Sequence, residues 1–456
     1  MKKITIIGSG AAGTLLAVNL IVNAGDAPLE INLIEKRERF GRGIAYSATA
    51  DYHLLNVPAA KMGAFPDDIE HFHRWLTAEN HNYAPSDFVP RRLYGKYLRE
   101  LFDETLANKS VNTAVNVIDD EAIDVSLEDK KPQVILSSGA NVDSDKIVLA
   151  FGNFLPPHPK AETQTFVKSE KYFQNPWQTD LLDKLSVTDD ILIIGTGLTF
   201  ADVAMSLFHN RHTGKIYGFS TRGLLPAVHK LGFVYDSFAD ELKGQTRITD
   251  LLKIVRRHIK KAGANGSDWR AVIDSLRPQT QEIWLNLSHA EKRYFKQHLS
   301  RYWNVARHRL PPETWRILDE MQTANHLEIG KGRLQKIEAS ADGKFTVTFV
   351  TDDRENTFAV NAIINCIGSE SNFKRIQSPL IRNLLAKNLI NTDVLKMGLD
   401  AAPDGRTIDV NGEVSDVIFT LGTALKGILW ESTAMPEIRA QANKLAMLLN
   451  AETRTK

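Results

Sequence analysis

Six residues near the start of the chain, Gly8-Ser9-Gly10-Ala11-Ala12-Gly13, match the pattern G-x-G-x-x-G. Each glycine has a separate job there. Gly8 permits a tight turn, Gly10 lets backbone approach a pyrophosphate, and Gly13 lets a helix sit close to a strand. The preceding ITIIG reads as a buried parallel strand ending at glycine. The helix that follows aims its free N–H groups and positive dipole end at phosphate. A second strand, EINLIE, ends in Glu35, 22 positions after Gly13, with Lys36 beside it. That is where a ribose-binding acid belongs. The alternative is a plain βαβ unit with a glycine-rich turn. Strand, glycines, helix and acid together point to a dinucleotide.

A second copy stands at ILIIGTGLTFAD, residues 191–202. Its strand leads into Gly195-Thr196-Gly197, and Leu198 and Thr199 open the helix. Phe200 occupies the third glycine position, so this helix is expected to stand further from its strand. Asp202 falls in the first helical turn, where an acid suits the helix dipole. The next strand, KIYGFSTRG, ends in Ser220-Thr221-Arg222 rather than an acid. An acid there would repel a 2′-phosphate, whereas Arg222 and two hydroxyls would receive it. The ending favours NADPH over NADH, the alternative being that Arg222 is a solvated loop residue. Two such units suggest FAD on the first and a nicotinamide docked on the second, with the cofactors supplying the redox chemistry.

The elements that must position these motifs fit in 456 residues, enough for two or three domains. Hydrophobic content of 43% and charged content of 24% are ordinary globular usage. The net charge of +1 argues for neither nucleic acid nor an anionic membrane. One cysteine, Cys366, excludes an internal disulfide, a Cys-x-x-Cys redox pair and a thiolate zinc cage. Residues 4–25 superficially resemble a signal peptide or membrane span, but three glycines and two asparagines interrupt them and no clean cleavage site follows. A cytoplasmic protein is the expectation.

KIVLAFGN (146–153) and AIINCIGS (362–369) are short apolar strands ending in glycine turns, and they bracket the second fingerprint. The first turn makes Gly152 a further candidate cofactor contact. Such crossings imply a discontinuous FAD-binding domain, 1–155 plus 365–456, and an NAD(P)-binding domain, 156–364. Residues 236–325 carry helical spacing and read as a mostly helical insertion. KFTVTFV and the run Glu355 to Val360 read as a hairpin. The expected fold class is α/β, two Rossmann-like dinucleotide-binding domains with a helical insertion. Cys366 reads as a buried apolar residue. His71 and His73 lie two apart and face different sides of a helix, and no metal site is expected. Arg301, Arg307, His308 and Arg309 near Trp303 read either as a solvated helix face or as a site for an anionic substrate or the NADPH phosphates.

Three further segments carry a family likeness: GRGIAYSATADYHLLNVPAAKMGAFPDDIEHFHRWL (41–76), RYWNVARHRLPP (301–312) and LKGILWESTAMPEIRAQA (425–442). With the two fingerprints they resemble a bacterial family of FAD/NAD(P)-binding flavoproteins (YdhS-like), and the likeness covers nearly the whole chain. More distantly the arrangement is similar to flavin-dependent N-hydroxylating and Baeyer–Villiger monooxygenases. The resemblance places Arg42 at the flavin, and HLLNVPAAKMGAF, which lacks helix periodicity, reads as a loop along it that carries Leu55 and Asn56, with Asn56 either the candidate catalytic hydrogen-bonding residue or a loop-capping asparagine. The resemblance also implies that FTLGTALKGILWESTAMPEIRAQA (419–442) closes the cofactor site, with Gly422 and Trp430 in contact. The usual Gly-Asp of that turn is Gly422-Thr423 here; backbone N–H groups of 422–424 are the expected replacement. Ser432 or Thr433 could cap the following helix, whose first turn holds Pro436.

The leading function is an FAD- and NADPH-dependent monooxygenase acting on a small molecule, an amine among the candidates, with O₂ adding to the reduced flavin at C4a. The alternatives are an NAD(P)H-dependent flavin reductase without oxygen insertion, and a sensor that holds both nucleotides without turnover. Small-molecule substrate and molecular oxygen are the expected partners, with a homo-oligomer left open.

Overall fold

The structure is a computed structural model, and it describes residues 1–36, 40–48, 50–127, 131–340 and 342–451. Lys2–Ile7 is a central strand because its β-branched residues find cover on both faces; Ile4 and Ile6 are fully buried. It pairs in parallel with Leu29–Ile34 and with Lys146–Leu149. Thr113–Ile118 extends one edge, and Val414–Thr420 followed by antiparallel Arg406–Ile408 extends the other. The fingerprint helix Ala11–Val22 and the C-terminal helix Met435–Ala451 pack together over this sheet, sharing a core through Leu15, Leu16, Ile438 and Leu445.

The chain leaves that sheet after Leu149 and rejoins it at Arg406. In between it builds a second sheet of five parallel strands, in the order Leu327–Lys331, Ile216–Ser220, Ile191–Ile194, Ala362–Asn365 and Tyr172–Phe173. Ile191, Leu192 and Ile193 are fully buried, as a strand covered on both faces requires. Phe200, in place of a third glycine, is accommodated from the neighbouring strand. A Cβ on Gly218 would lie 2.5 Å from Phe200 Cε2, so the ring occupies the space that a side chain at 218 would take. Phe200 is completely buried there.

Residues 236–325 are helical: the longer pieces are Ile248–Ala264, Trp269–Ser275, Thr280–Asn286, His289–His298, Ser300–Arg307 and Pro312–Thr323. Asp268 caps the second through Arg270 N–H at 2.9 Å, and Ser288 caps the fourth. Glu291 lies where a capping box would use it, yet its Oε2 accepts Ile248 N–H at 2.7 Å and serves a different helix start. The insertion packs against Leu395, Met397 and Trp430. The expected hairpin is Phe345–Thr351 with Arg354–Val360, turned at Asp352 and Asp353, both at positive φ as a type I′ turn demands. Among the described residues no helix is long and apolar enough to cross a membrane.

Candidate functional site

The first fingerprint folds into a turn that only its glycines allow. Gly8 has φ +104°, and a Cβ on it would lie 2.5 Å from the Ala150 carbonyl oxygen. A Cβ on Gly13 would lie 1.9 Å from Gly8 O, so helix and strand are in direct contact. Gly10 differs: its nearest neighbour would be Gly43 Cα at an ordinary 3.6 Å. The protein does not need Gly10 bare, whereas a ligand approaching the helix start would. Gly10 is the N-cap and makes no side-chain cap, which leaves the first N–H groups free. Glu35 Oε2 accepts Ser9 N–H at 3.2 Å, and its Oε1 accepts Lys36 N–H at 3.1 Å. Ser9 Oγ is buried without a partner.

These residues open onto a cleft of about 350 Å³, lined by Gly8, Gly10, Ala11, Ala12, Glu35, Lys36, Arg42, Gly152 and Gly422. Ser9 and Gly13 shape the turn from behind. Lys36 is held by Glu121 at 2.9 Å, while Arg42 is exposed. Free N–H donors at a helix start, a glutamate at a strand end and an unpaired buried hydroxyl fit the adenosine and pyrophosphate of a dinucleotide.

A second cleft of about 550 Å³ continues from the first, sharing Tyr46, Gly152, Phe154, Thr423 and Thr433 as walls. Leu55 and Asn56 line one side, Leu198 and Thr199 the other. The Asn56 loop is anchored from the segment that precedes the insertion, because His229 Nε2 lies 3.0 Å from Asn56 O. In the second fingerprint Gly195 has φ +102° and a Cβ would meet Cys366 O at 2.4 Å. Gly197 has open space around it. Thr196 is committed to the turn, its Oγ1 donating to Leu224 O at 2.6 Å and lying 2.8 Å from Ser220 Oγ. Ser220 Oγ accepts Gly223 N–H at 3.0 Å, leaving Thr221 and Arg222 exposed beyond the strand end. Cys366 is buried, and burial pushes its thiol up.

Five expectations need correction. Trp430 does not border either cleft: its indole sits in the core of the insertion, against Trp284 and Phe295, each with ring centroids 4.9 Å away. Asp202 is buried, lines neither cleft and is ion-paired to Arg91 at 2.9 Å. Gly422 N–H is not free for a cofactor, because it donates to Gln441 Oε1 at 2.7 Å. The basic cluster is no solvated face. Arg309 is 2% exposed and clasps Asp274 with two bonds of 2.9 Å, and Arg307 lies 4.0 Å from Glu437. Ser432 Oγ is buried without a partner, so it does not cap the last helix.

Several cleft residues went unread in the sequence. Tyr46, Phe154, Arg91, Lys426 and Asn304 line the second cleft, beside Thr423 and His308, which the sequence had put forward. Thr423 Oγ1 donates to Phe151 O at 3.0 Å, tying the last strand's turn to Gly152's. Tyr46 is pushed up to about 12 by burial, so its phenol stays protonated. The one available signal was Thr423 itself, a hydroxyl where an acid is usual.

Burial holds two cleft-side histidines neutral: His229 is pushed down to about 4 and His308 to about 3. An unfolded histidine takes up its proton near pH 6.5. Between that value and about 4 the unfolded chain binds the proton and folded His229 does not, so stability falls as pH falls. Denaturation at pH 6.5 and pH 5 is expected to show a loss that His229→Gln reduces by about 1.5 kcal/mol, short of the full slope of about 1.4 kcal/mol per pH unit because the unfolded imidazole is already half-protonated at pH 6.5.

Residues 5–154 match a family model described as FAD-NAD(P)-binding. No curated protein matches the sequence. Solved structures match over almost the full length. L-Lysine 6-monooxygenase from Pseudomonas syringae is 16% identical with a TM-score of 0.64, covering 99% of both chains. A cadaverine monooxygenase of desferrioxamine biosynthesis from Erwinia amylovora, bound to FAD, is 14% identical with a TM-score of 0.65, over 97% of this chain and 92% of that one. An ornithine N-hydroxylase from Kutzneria sp. 744, with reduced FAD, NADP⁺ and L-ornithine, is 15% identical with a TM-score of 0.62, over 99% of each. The likeness is one of fold: two dinucleotide-binding domains carrying a helical insertion.

Proposed function

We propose that the chain is an FAD-dependent, NADPH-using monooxygenase that N-hydroxylates a small amine. The observation that carries this reading is the continuity of the two clefts, which run from the first fingerprint helix at Gly10 to the second at Leu198 and Thr199. The shared fold with lysine, cadaverine and ornithine hydroxylating enzymes supports the same reading. FAD and NADPH, when bound, supply hydride transfer and oxygen activation.

The chain's own residues hold and enclose. The N–H groups after Gly10 receive the pyrophosphate, and Glu35 binds the ribose. Arg222 and Thr221, exposed past the second sheet, receive the 2′-phosphate. The loop with Leu55 and Asn56 shuts water from the reacting face, and the Asn56 amide hydrogen-bonds there. On this reading the enzyme works in the cytoplasm, where a lone cysteine stays reduced.

The test is stoichiometry on the FAD-loaded protein with lysine, ornithine, cadaverine and other amines. The expected result is hydroxylamine formed in proportion to NADPH consumed, with NADPH oxidised faster than NADH. NADPH oxidation with no oxygenated amine, ketone or sulfide would replace this reading with a flavin reductase. No oxidation at all would leave a nucleotide-binding protein without turnover.

A further inference from the structure

The helical insertion forms a half-open pocket of about 290 Å³, distinct from the cofactor clefts. Its walls are apolar, with Leu251, Val255, Ile273, Trp284, Phe295 and Trp430 the main contributors. An apolar concavity with a charged group at its edge is the usual form of a small-ligand site.

The polar groups that reach the lining are largely committed elsewhere. Thr280 Oγ1 donates to Leu276 O at 2.9 Å, Trp284 Nε1 to Gly427 O at 3.0 Å, and Trp303 Nε1 to Glu431 Oε1 at 2.7 Å. Arg256 is the one charged residue of the lining, and it is exposed. Its neighbour Arg257 is paired with Glu241 and Lys253 with Asp250, but among the described residues nothing engages Arg256. Leu252, Val255, Arg256 and Ile259 recur at helical spacing on Ile248–Ala264, so the guanidinium stands on the rim of an apolar stripe.

The opposite wall is held in an uncommon conformation. Trp430 has φ 60° and ψ −69°, and Glu431 N–H reaches back to Leu429 O at 2.8 Å. A bulky residue in such a turn is rare, and such strain gathers at ligand sites. Here it keeps the indole as cavity wall.

We propose that this cavity binds a single-chain amphiphilic carboxylate, with its hydrocarbon tail among the tryptophans and its carboxylate on Arg256. An apolar interior alone would take any hydrocarbon; the unpaired arginine at the rim selects an anionic head, which a guanidinium holds with two bonds.

The test titrates dodecanoate into the FAD-loaded protein, read by calorimetry and by the fluorescence of the cavity tryptophans. Saturable one-to-one binding is expected, unaffected by NADP⁺. Arg256→Gln weakens dodecanoate about tenfold, the loss of one charge-assisted contact, and leaves dodecanol unchanged. Ala306→Phe, which fills the cavity, abolishes both without altering the flavin spectrum; Leu252→Trp serves if that variant misfolds. Competition with NADP⁺, equal weakening of dodecanol by Arg256→Gln, or no saturable binding overturns the proposal. A concentration-dependent dimer that excludes dodecanoate would overturn it in favour of a second copy as occupant.

Discussion

Gly13→Ala yields a protein whose first nucleotide unit does not fold, whereas Gly10→Ala yields a folded protein that no longer retains flavin. A methyl on Gly13 would stand 1.9 Å from Gly8 O, 3.0 Å from Gly8 C and 3.3 Å from Ala150 Cβ. Two of these atoms are backbone, fixed by Gly8 N–H to Ile34 O at 3.0 Å and Ala150 N–H to Ile7 O at 2.9 Å. Relief requires the helix to leave the sheet, and a cost of at least about 3 kcal/mol is expected, the upper end for overpacking. Gly10→Ala meets Gly43 Cα at 3.6 Å, and its methyl occupies the cleft where a pyrophosphate would lie. Its apoprotein melts like wild type. Flavin absorbance per protein and the melting temperature of each apoprotein separate the two effects. A yellow Gly10→Ala protein with normal flavin content would remove the first fingerprint as the pyrophosphate site.

That contrast also marks what could be read from the sequence. The strand-turn-helix at Gly8 and the one at Gly195 were legible because every constraint is local: a strand, a positive-φ glycine and a helix within a dozen residues. The helices of 236–325 were legible from their apolar spacing. What failed depends on partners far along the chain. Asp202 looked like a ligand acid until Arg91, 111 positions away, came to lie beside it. Gly422 N–H looked available until Gln441 from the following helix took it. Trp430 follows the cofactor-closing turn in sequence, but its positive φ sends the indole into the insertion instead. The substitution of Phe200 for glycine predicted a more distant helix; its compensation sits at Gly218, on another strand. A pattern of residue types records which turn can form, but not which side chain a distant element delivers to it.

Asp202→Ala is expected to cost about 3 kcal/mol and to slow reduction by NADPH. Arg91 Nη1 lies 2.9 Å from Asp202 Oδ2, its Nη2 donates to Oδ1 at 3.2 Å, and its Nε donates to Leu54 O at 3.0 Å. One guanidinium thus ties the loop along the cleft to the second fingerprint helix. The two side chains are 15% and 11% exposed, so water replaces little of what the carboxylate gives. Burial pushes Asp202 up, and Arg91 pulls it back toward its ionised form. Removing the acid strands a buried cation, which is where losses of about 3–5 kcal/mol arise. Replacing both partners, Arg91→Met with Asp202→Leu, removes that stranded charge and is expected to recover most of the stability, because apolar pairs often substitute for buried ion pairs at little cost. It does not restore the bond to Leu54 O. The double variant should therefore unfold near the wild-type urea midpoint while still being reduced slowly. Recovery of both properties would make the pair a stability element only. A loss below about 1 kcal/mol for Asp202→Ala would make it no more than a screened surface pair. Slow reduction in a stable protein would mean that the ion pair's function is to hold the Leu54–Asn56 loop against the second nucleotide unit.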